Sequence, residues 1–368
     1  MLAERAYWLA WSQISGIGPV LLQRLQQQFG SLAAAWQASA KDLQQVEGFG
    51  TQTIAAVAMA RSQVHPEQLL LTHEQQNTFW TPADPDYPQL LLETPSPPPM
   101  LYYRGVIDWQ ENAAQKPLVG IVGTRNPSEY GKRWTRKISA ALAKHGFTIV
   151  SGLADGIDTE AHRGCLEAGG RTIAVLGTGV DVVYPPRNRD LYQQVLQHGL
   201  VVSEYAAKTP PDRVHFPRRN RIIAGLSRAV LVMEAPVRSG ALITADFANE
   251  FCRDVFVLPG SLDNPRSLGC LGLLNNGAGV ILSEEQLLEV LGSIPQINPV
   301  NSSATTQPLP DLAPELQQVL SAIASESLPF DLIVQQTGFA ASSVSSTLLQ
   351  LELMGFITQL PGMRYQRS

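Results

Sequence analysis

The sequence predicts an α/β protein built on a doubly wound, mostly parallel sheet, with an all-α domain before it and a winged-helix domain after it. Three observations carry that expectation. Short apolar, β-branched runs alternate with amphipathic helical stretches from residue 118 to about residue 291, the pattern of strands buried on both faces by crossover helices. Residues 1–66 keep a helical period instead, broken by two Gly-hydrophobic-Gly turns. The last stretch, residues 312–368, reads as three helices and a hairpin, which is the outline of a winged helix.

In the N-terminal domain, 1–66, Gly16-Ile17-Gly18 separates helical segments 7–14 and 19–29, and Gly48-Phe49-Gly50 separates 41–46 and 51–61. This layout resembles paired helix-hairpin-helix units, whose tight turn offers backbone N–H groups to a phosphate. Glycine turns between helices also serve as plain C-caps, so both readings stand. The central domain, 67–291, opens with a Pro-rich stretch in which Pro95, Pro97, Pro98 and Pro99 hold the backbone near-extended. Strands are expected at 118–122, 147–150, 172–176, 200–202, 229–233 and 254–258. Residues 292–311 carry Pro, Asn, Ser and Thr with few apolar side chains and read as a linker. The winged-helix domain, 312–368, should turn its hairpin at Pro361-Gly362.

At 368 residues and 44% hydrophobic, the chain can build two or three ordered domains. Its net charge of −5 hides an uneven distribution: 18 Lys+Arg face 11 Asp+Glu between Arg104 and Arg228, against 9 and 21 elsewhere. A basic middle between acidic flanks points to a local polyanion site. Cys165, Cys252 and Cys270 are scattered, with no His at ligand spacing, so neither a disulfide framework nor a metal site is expected. The first residues lack a signal-peptide layout and no apolar run reaches bilayer length, so the expected location is cytoplasmic, without membrane contact.

In doubly wound sheets the ligand crevice lies at the carboxyl ends of the strands. Four such ends share one style here: Gly123-Thr124-Arg125 running on to Ser128, Ser151-Gly152, Gly177-Thr178-Gly179, and Ser239-Gly240 at the head of a helix. Glycine admits a close ligand, hydroxyls donate hydrogen bonds and helix N-termini favour anions, so together they form a phosphate-binding rim. The pattern lacks a dinucleotide fingerprint and GxxxxGK[ST], so no cofactor is expected. The run from Phe216 to Ser227 is the most informative. Arg218, Arg219 and Arg221 match phosphate oxygens, and Phe216 offers a face to an unpaired base. The bland alternative is a helix start with solvated arginines. Asp155, Asp158 and His162 read either as first-turn acids with a nearby hydrogen-bonding His, or as metal or proton-relay groups.

These residues resemble the bacterial DNA-processing protein A family (DprA, also called Smf). The resemblance rests on Val122-Gly123-Thr124-Arg125, on Ser151 through His162, on Phe216 through Ser227, on Ser239 through Ala245 and on Val255 through Gly260. It implies an extended Rossmann-like domain and a non-enzymatic recombination mediator. Such a protein binds incoming single-stranded DNA during natural transformation, protects it, helps load RecA and acts as a homodimer. It assigns Arg125 to the DNA backbone and Phe216, Arg219, Asn220 and Arg221 to the same pocket, with Arg213 nearby. Two departures are visible: Cys252 stands where the family has glycine, and Leu271 where it has Asn. The recognition segment of the winged helix, 340–354, carries no Lys or Arg, so a protein-contact role there is as good a reading as duplex recognition. The rival function is a nucleoside-monophosphate phosphoribohydrolase on a similar sheet. Such enzymes need a Pro-Gly-Gly-x-Gly-Thr-x-x-Glu run, where this chain has Arg238-Ser239-Gly240-Ala241-Leu242-Ile243-Thr244.

Overall fold

The computed structural model describes residues 2–292, 314–323, 328–354, 356–360 and 364–367, which fall in two compact units, 1–300 and 301–368. The first unit contains a sheet of nine strands among the described residues. They are β1 (Phe79–Trp80), β2 (Leu101–Gly105), β3 (Leu118–Val122), β4 (Thr148–Ser151), β5 (Thr172–Leu176), β6 (Leu200–Ser203), β7 (Ala229–Val232), β8 (Asp254–Val257) and β9 (Gly279–Val280). Their order is β1-β2-β6-β5-β4-β3-β7-β8-β9. Pairing is parallel from β6 through to β9 and antiparallel for β1 with β2 and β2 with β6.

The chain winds outward from β3 through β4, β5 and β6, then returns to the other side of β3 as β7. The strand order therefore reverses between β3 and β7, and a crevice opens at their carboxyl ends. Residues of β3 alternate between the two faces: Leu118 and Val122 join one buried cluster, Val119 and Ile121 the other. The six strands expected from apolar runs are present to within a residue at their ends. Strands β1, β2 and β9 were not legible. Two of them are two residues long, and β2 follows the proline run, whose composition argues against a strand.

The helices before the sheet share its core. Ala6 and Leu9 of the helix Leu2–Ser12 are buried in one cluster with Leu70, Phe79, Tyr102 and Leu176. The other face of that helix, with Trp8 and Trp11, packs on Leu22, Trp36 and Phe49. Arginines here are spent internally. Arg5 pairs with Glu74 and donates to the Phe79 carbonyl, Arg24 pairs with Glu47, and Arg61 donates to the Ala35 and Ala38 carbonyls. Cys252, where the resemblance implies glycine, has a φ of 56°, the left-handed region that favours glycine.

The second unit contains helices Pro314–Ala322, Phe330–Thr337 and Ala341–Leu353 and an antiparallel hairpin of Ile357–Leu360 with Arg364–Arg367. Its core is Val319, Ile333, Val344, Leu348, Leu351 and their neighbours, so the winged-helix expectation is met. The linker expected at 292–311, except for Gly292, and the turn at Pro361-Gly362 lie outside the described residues.

Candidate functional site

A cavity of about 620 Å³ opens at the β3/β7 switch point. The loop after β3 supplies Gly123, Thr124 and Arg125, and the loop after β7 supplies Arg238, Ser239 and Gly240. The opposite wall is the helix His215–Leu226, whose Phe216, Arg219, Asn220 and Ile223 all face the cavity. Their spacing, i, i+3, i+4 and i+7, is one helical face. Arg213, just before that helix, completes the lining. Nine of the thirteen residues expected in the site meet here. Arg238 and Tyr184 also line the cavity, and neither was singled out in the sequence.

The backbone makes room in two places. At Gly123 a Cβ would strike Ile157 and the Glu234 carbonyl, so the β3 loop can cross there only as glycine. At Gly152 a Cβ would fall inside the Arg219 guanidinium. The buried arginine thus occupies the space that Gly152 leaves free.

The remaining expected residues hold the site together from below. Ser128 caps the helix Glu129–Lys144, and its N–H and Oγ donate to the carboxylate of buried Glu234 at 2.7 and 2.8 Å. Ser151 is fully buried and donates to the Ile121 carbonyl at 2.6 Å. Arg221 pairs with Glu204 and donates to the Ser96 carbonyl, clamping the Pro-rich stretch onto the helix. Arg219 lines the cavity but is only 4% exposed, with a nitrogen committed to the Val175 carbonyl. Burial pulls its pKa down to about 10. Beside it the buried Asp158 accepts from the N–H groups of Gly152 and Ala154. Burial raises the Asp158 pKa, and the Arg219 charge opposes that rise. His162 is fully buried against Thr172 at 2.7 Å, and burial brings its pKa to about 3. Asp155 pairs with Arg187 at the surface. These three residues therefore sit in separate surroundings, and among the described residues no cluster of His, Cys, Asp or Glu could hold a metal.

The rim differs from this floor. Arg125, Arg213 and Arg238 are exposed and form no hydrogen bond or ion pair among the described residues. The Arg125 guanidinium lies 5.5 Å from the centre of the Phe216 ring, which itself sits 5.5 Å from Tyr184. Phe216 is half-buried, so one part of its ring rests on Gly177 while the rest borders the cavity. Asp158 is the only carboxylate among the lining residues, and it faces Arg219. Unpaired guanidinium groups around half-exposed aromatic rings suit phosphates linked to bases. Among the described residues no helix is long and apolar enough to cross a membrane.

The model of the DNA recombination-mediator protein A family matches residues 78–292, and that of the DprA winged helix domain matches residues 303–363. Protein Smf of Synechocystis sp. is 53% identical, with 99% of each chain covered. The X-ray structure of DNA processing protein A from Streptococcus pneumoniae aligns with a TM-score of 0.68 at 35% identity, covering 77% of this chain and 97% of that one. A structure of the Helicobacter pylori DNA processing protein A, which concerns its single-stranded DNA binding mode, aligns with a TM-score of 0.52 at 31% identity, covering 58% of this chain and 96% of that one.

Proposed function

The chain belongs to the DNA recombination-mediator protein A family (DprA, also called Smf), and from that premise we propose that it binds single-stranded DNA as a recombination mediator and not as an enzyme. One observation carries the reading: three arginines without a hydrogen bond or ion pair among the described residues, Arg125, Arg213 and Arg238, ring a cavity walled by Phe216 and Tyr184. Positive charges that outnumber the one lining carboxylate, Asp158, favour the arrival of an anion. The arginines take phosphates, Phe216 takes a base face, and Asn220 and Thr124 border the same space. Backbone and stacking contacts tolerate any sequence, so little base preference follows. Loading of RecA, homodimer formation, a cytoplasmic location and a part in natural transformation come with family membership and belong to the same proposal.

The phosphoribohydrolase alternative needs a general acid facing the ligand. The lining carboxylate, Asp158, is instead buried beside Arg219, and Glu234 is occupied by Ser128 and Asn264. A competition experiment tests the choice. The protein is held with labelled single-stranded oligonucleotide, and unlabelled single strand, duplex or a nucleoside monophosphate is added. The proposal expects single strand to compete best and the monophosphate to survive intact. Free base released from the monophosphate, or equal competition by duplex, would overturn it.

A further inference from the structure

Arg125 borders two cavities. On its far side a second depression of about 490 Å³ is lined by Asn126, Lys132, Arg163, Arg187 and Arg266, with Asp155 and Glu160 as its carboxylates. A small void of about 30 Å³, bordered by Arg125, Asp155, Tyr184 and Phe216, lies between the two. The aromatic cavity and the second depression are thus neighbours at the carboxyl ends of the strands, and Arg125 lines both.

The charge in the second depression is only partly neutralised. Glu160 is engaged by Arg136 and lies 3.9 Å from Arg163, and Lys132 pairs with Glu129 at 2.7 Å. Arg187 meets Asp155 through its Nε, which leaves the other guanidinium donors of a side chain that is 70% exposed. Arg266 is exposed and forms no hydrogen bond or ion pair through its side chain among the described residues. No aromatic side chain lines this depression, so it offers cations without a stacking surface. Such a lining recognises a phosphodiester backbone and leaves the bases in solvent.

We propose that the second depression is the continuation of the binding site, a subsite for the backbone of the same strand whose bases occupy the aromatic cavity. Arg187 and Arg266 are its contacts, and Arg125 is the point at which the strand passes from one to the other. The inference rests on the single-stranded DNA reading of the aromatic cavity. Neither arginine lines that cavity, so the two can be tested apart.

The experiment measures binding of two oligothymidylates, about four and about sixteen nucleotides long, which bracket known single-strand site sizes. The full chain is compared with Arg187→Ala/Arg266→Ala. The double variant should bind the long strand about tenfold more weakly and the short one as the wild type does. Its log–log salt slope on the long strand should be shallower by roughly 1.4, or about 0.7 for each lost phosphate contact. Arg266→Ala alone breaks no ion pair and should give about half the change in slope. An unchanged slope and affinity, or equal losses on both lengths, would overturn the subsite while leaving the aromatic cavity intact. Failure of the wild type to bind either strand would overturn the proposed function as well.

Discussion

The floor and the rim of the cavity use the same residue type for opposite ends. Arg219 and Arg221 lie within three positions of one another on one helix, yet both are consumed inside the protein by carbonyl and carboxylate groups. Arg125, Arg213 and Arg238 come from three different loops and are left unpaired among the described residues. What separates the two groups is the set of neighbours each guanidinium finds, and those neighbours lie far away in the chain. A floor arginine contributes to stability and shapes the site, whereas a rim arginine contributes charge to it. Substitutions should therefore divide into those that lower folding free energy and those that lower affinity.

The largest expected effect is at the floor. Arg219→Ala removes the charge that offsets the buried Asp158 and opens a space beneath the cavity, so it should cost about 3–5 kcal/mol of stability. Urea unfolding measures this, and a loss under about 1 kcal/mol would mean that Arg219 behaves like a rim residue.

A second floor effect depends on pH. Burial, assisted by the Arg219 charge, lowers the His162 pKa from 6.5 to about 3. The unfolded chain takes up a proton that the folded protein refuses. The stability contributed by this group is therefore present above pH 6.5 and is lost as the pH falls toward 3. Asp158, with its raised pKa, acts in the opposite sense, so the His162 contribution is read as a difference from His162→Gln. Across that window the wild type should lose up to about 1.4 kcal/mol per pH unit relative to the variant. Parallel pH curves would show that the histidine is not isolated from solvent.

Phe216 tests the border between floor and rim. Because it is half-buried, Phe216→Ala should weaken oligonucleotide binding by about 1–3 kcal/mol, roughly tenfold or more, through lost stacking. Core burial would instead cost about 3–5 kcal/mol of stability. Binding and melting measured on one variant separate the two outcomes. The smallest effect belongs to single rim residues. Arg238→Ala should leave stability within about 0.5 kcal/mol and make the salt slope shallower by roughly 0.7. A marked fall in melting temperature would assign Arg238 to the floor.

The architecture was readable where the physics is local. Apolar β-branched runs marked β3 to β8, and glycines at the strand ends located the edge that carries the cavity. The antiparallel strand β2 escaped because it pairs with β6, about a hundred residues away, and β1 because it is two residues long and pairs with β2. In the site, the run from Phe216 to Arg221 was recognisable, but its residues could not be sorted into floor and rim. That division is set by the Val175 carbonyl, Glu204 and Ser96, none of which is adjacent in sequence. Arg238 and Tyr184 are not assignable to the site from sequence for the same reason, since only the fold brings their loops to β3. Arg238 had one signal, its place directly before Ser239-Gly240 at a helix start.

Arg125 tests the central claim most directly, because it is exposed, forms no ion pair among the described residues and is common to both cavities. Single-stranded oligothymidylate affinity should be measured across a salt series for the wild type and for Arg125→Ala. The account predicts a linear fall of log affinity with log salt for the wild type, and a weaker, shallower line for the variant, with unfolding unchanged. A flat wild-type response, or a variant line that superimposes on it, would contradict the claim that the rim is where DNA binds.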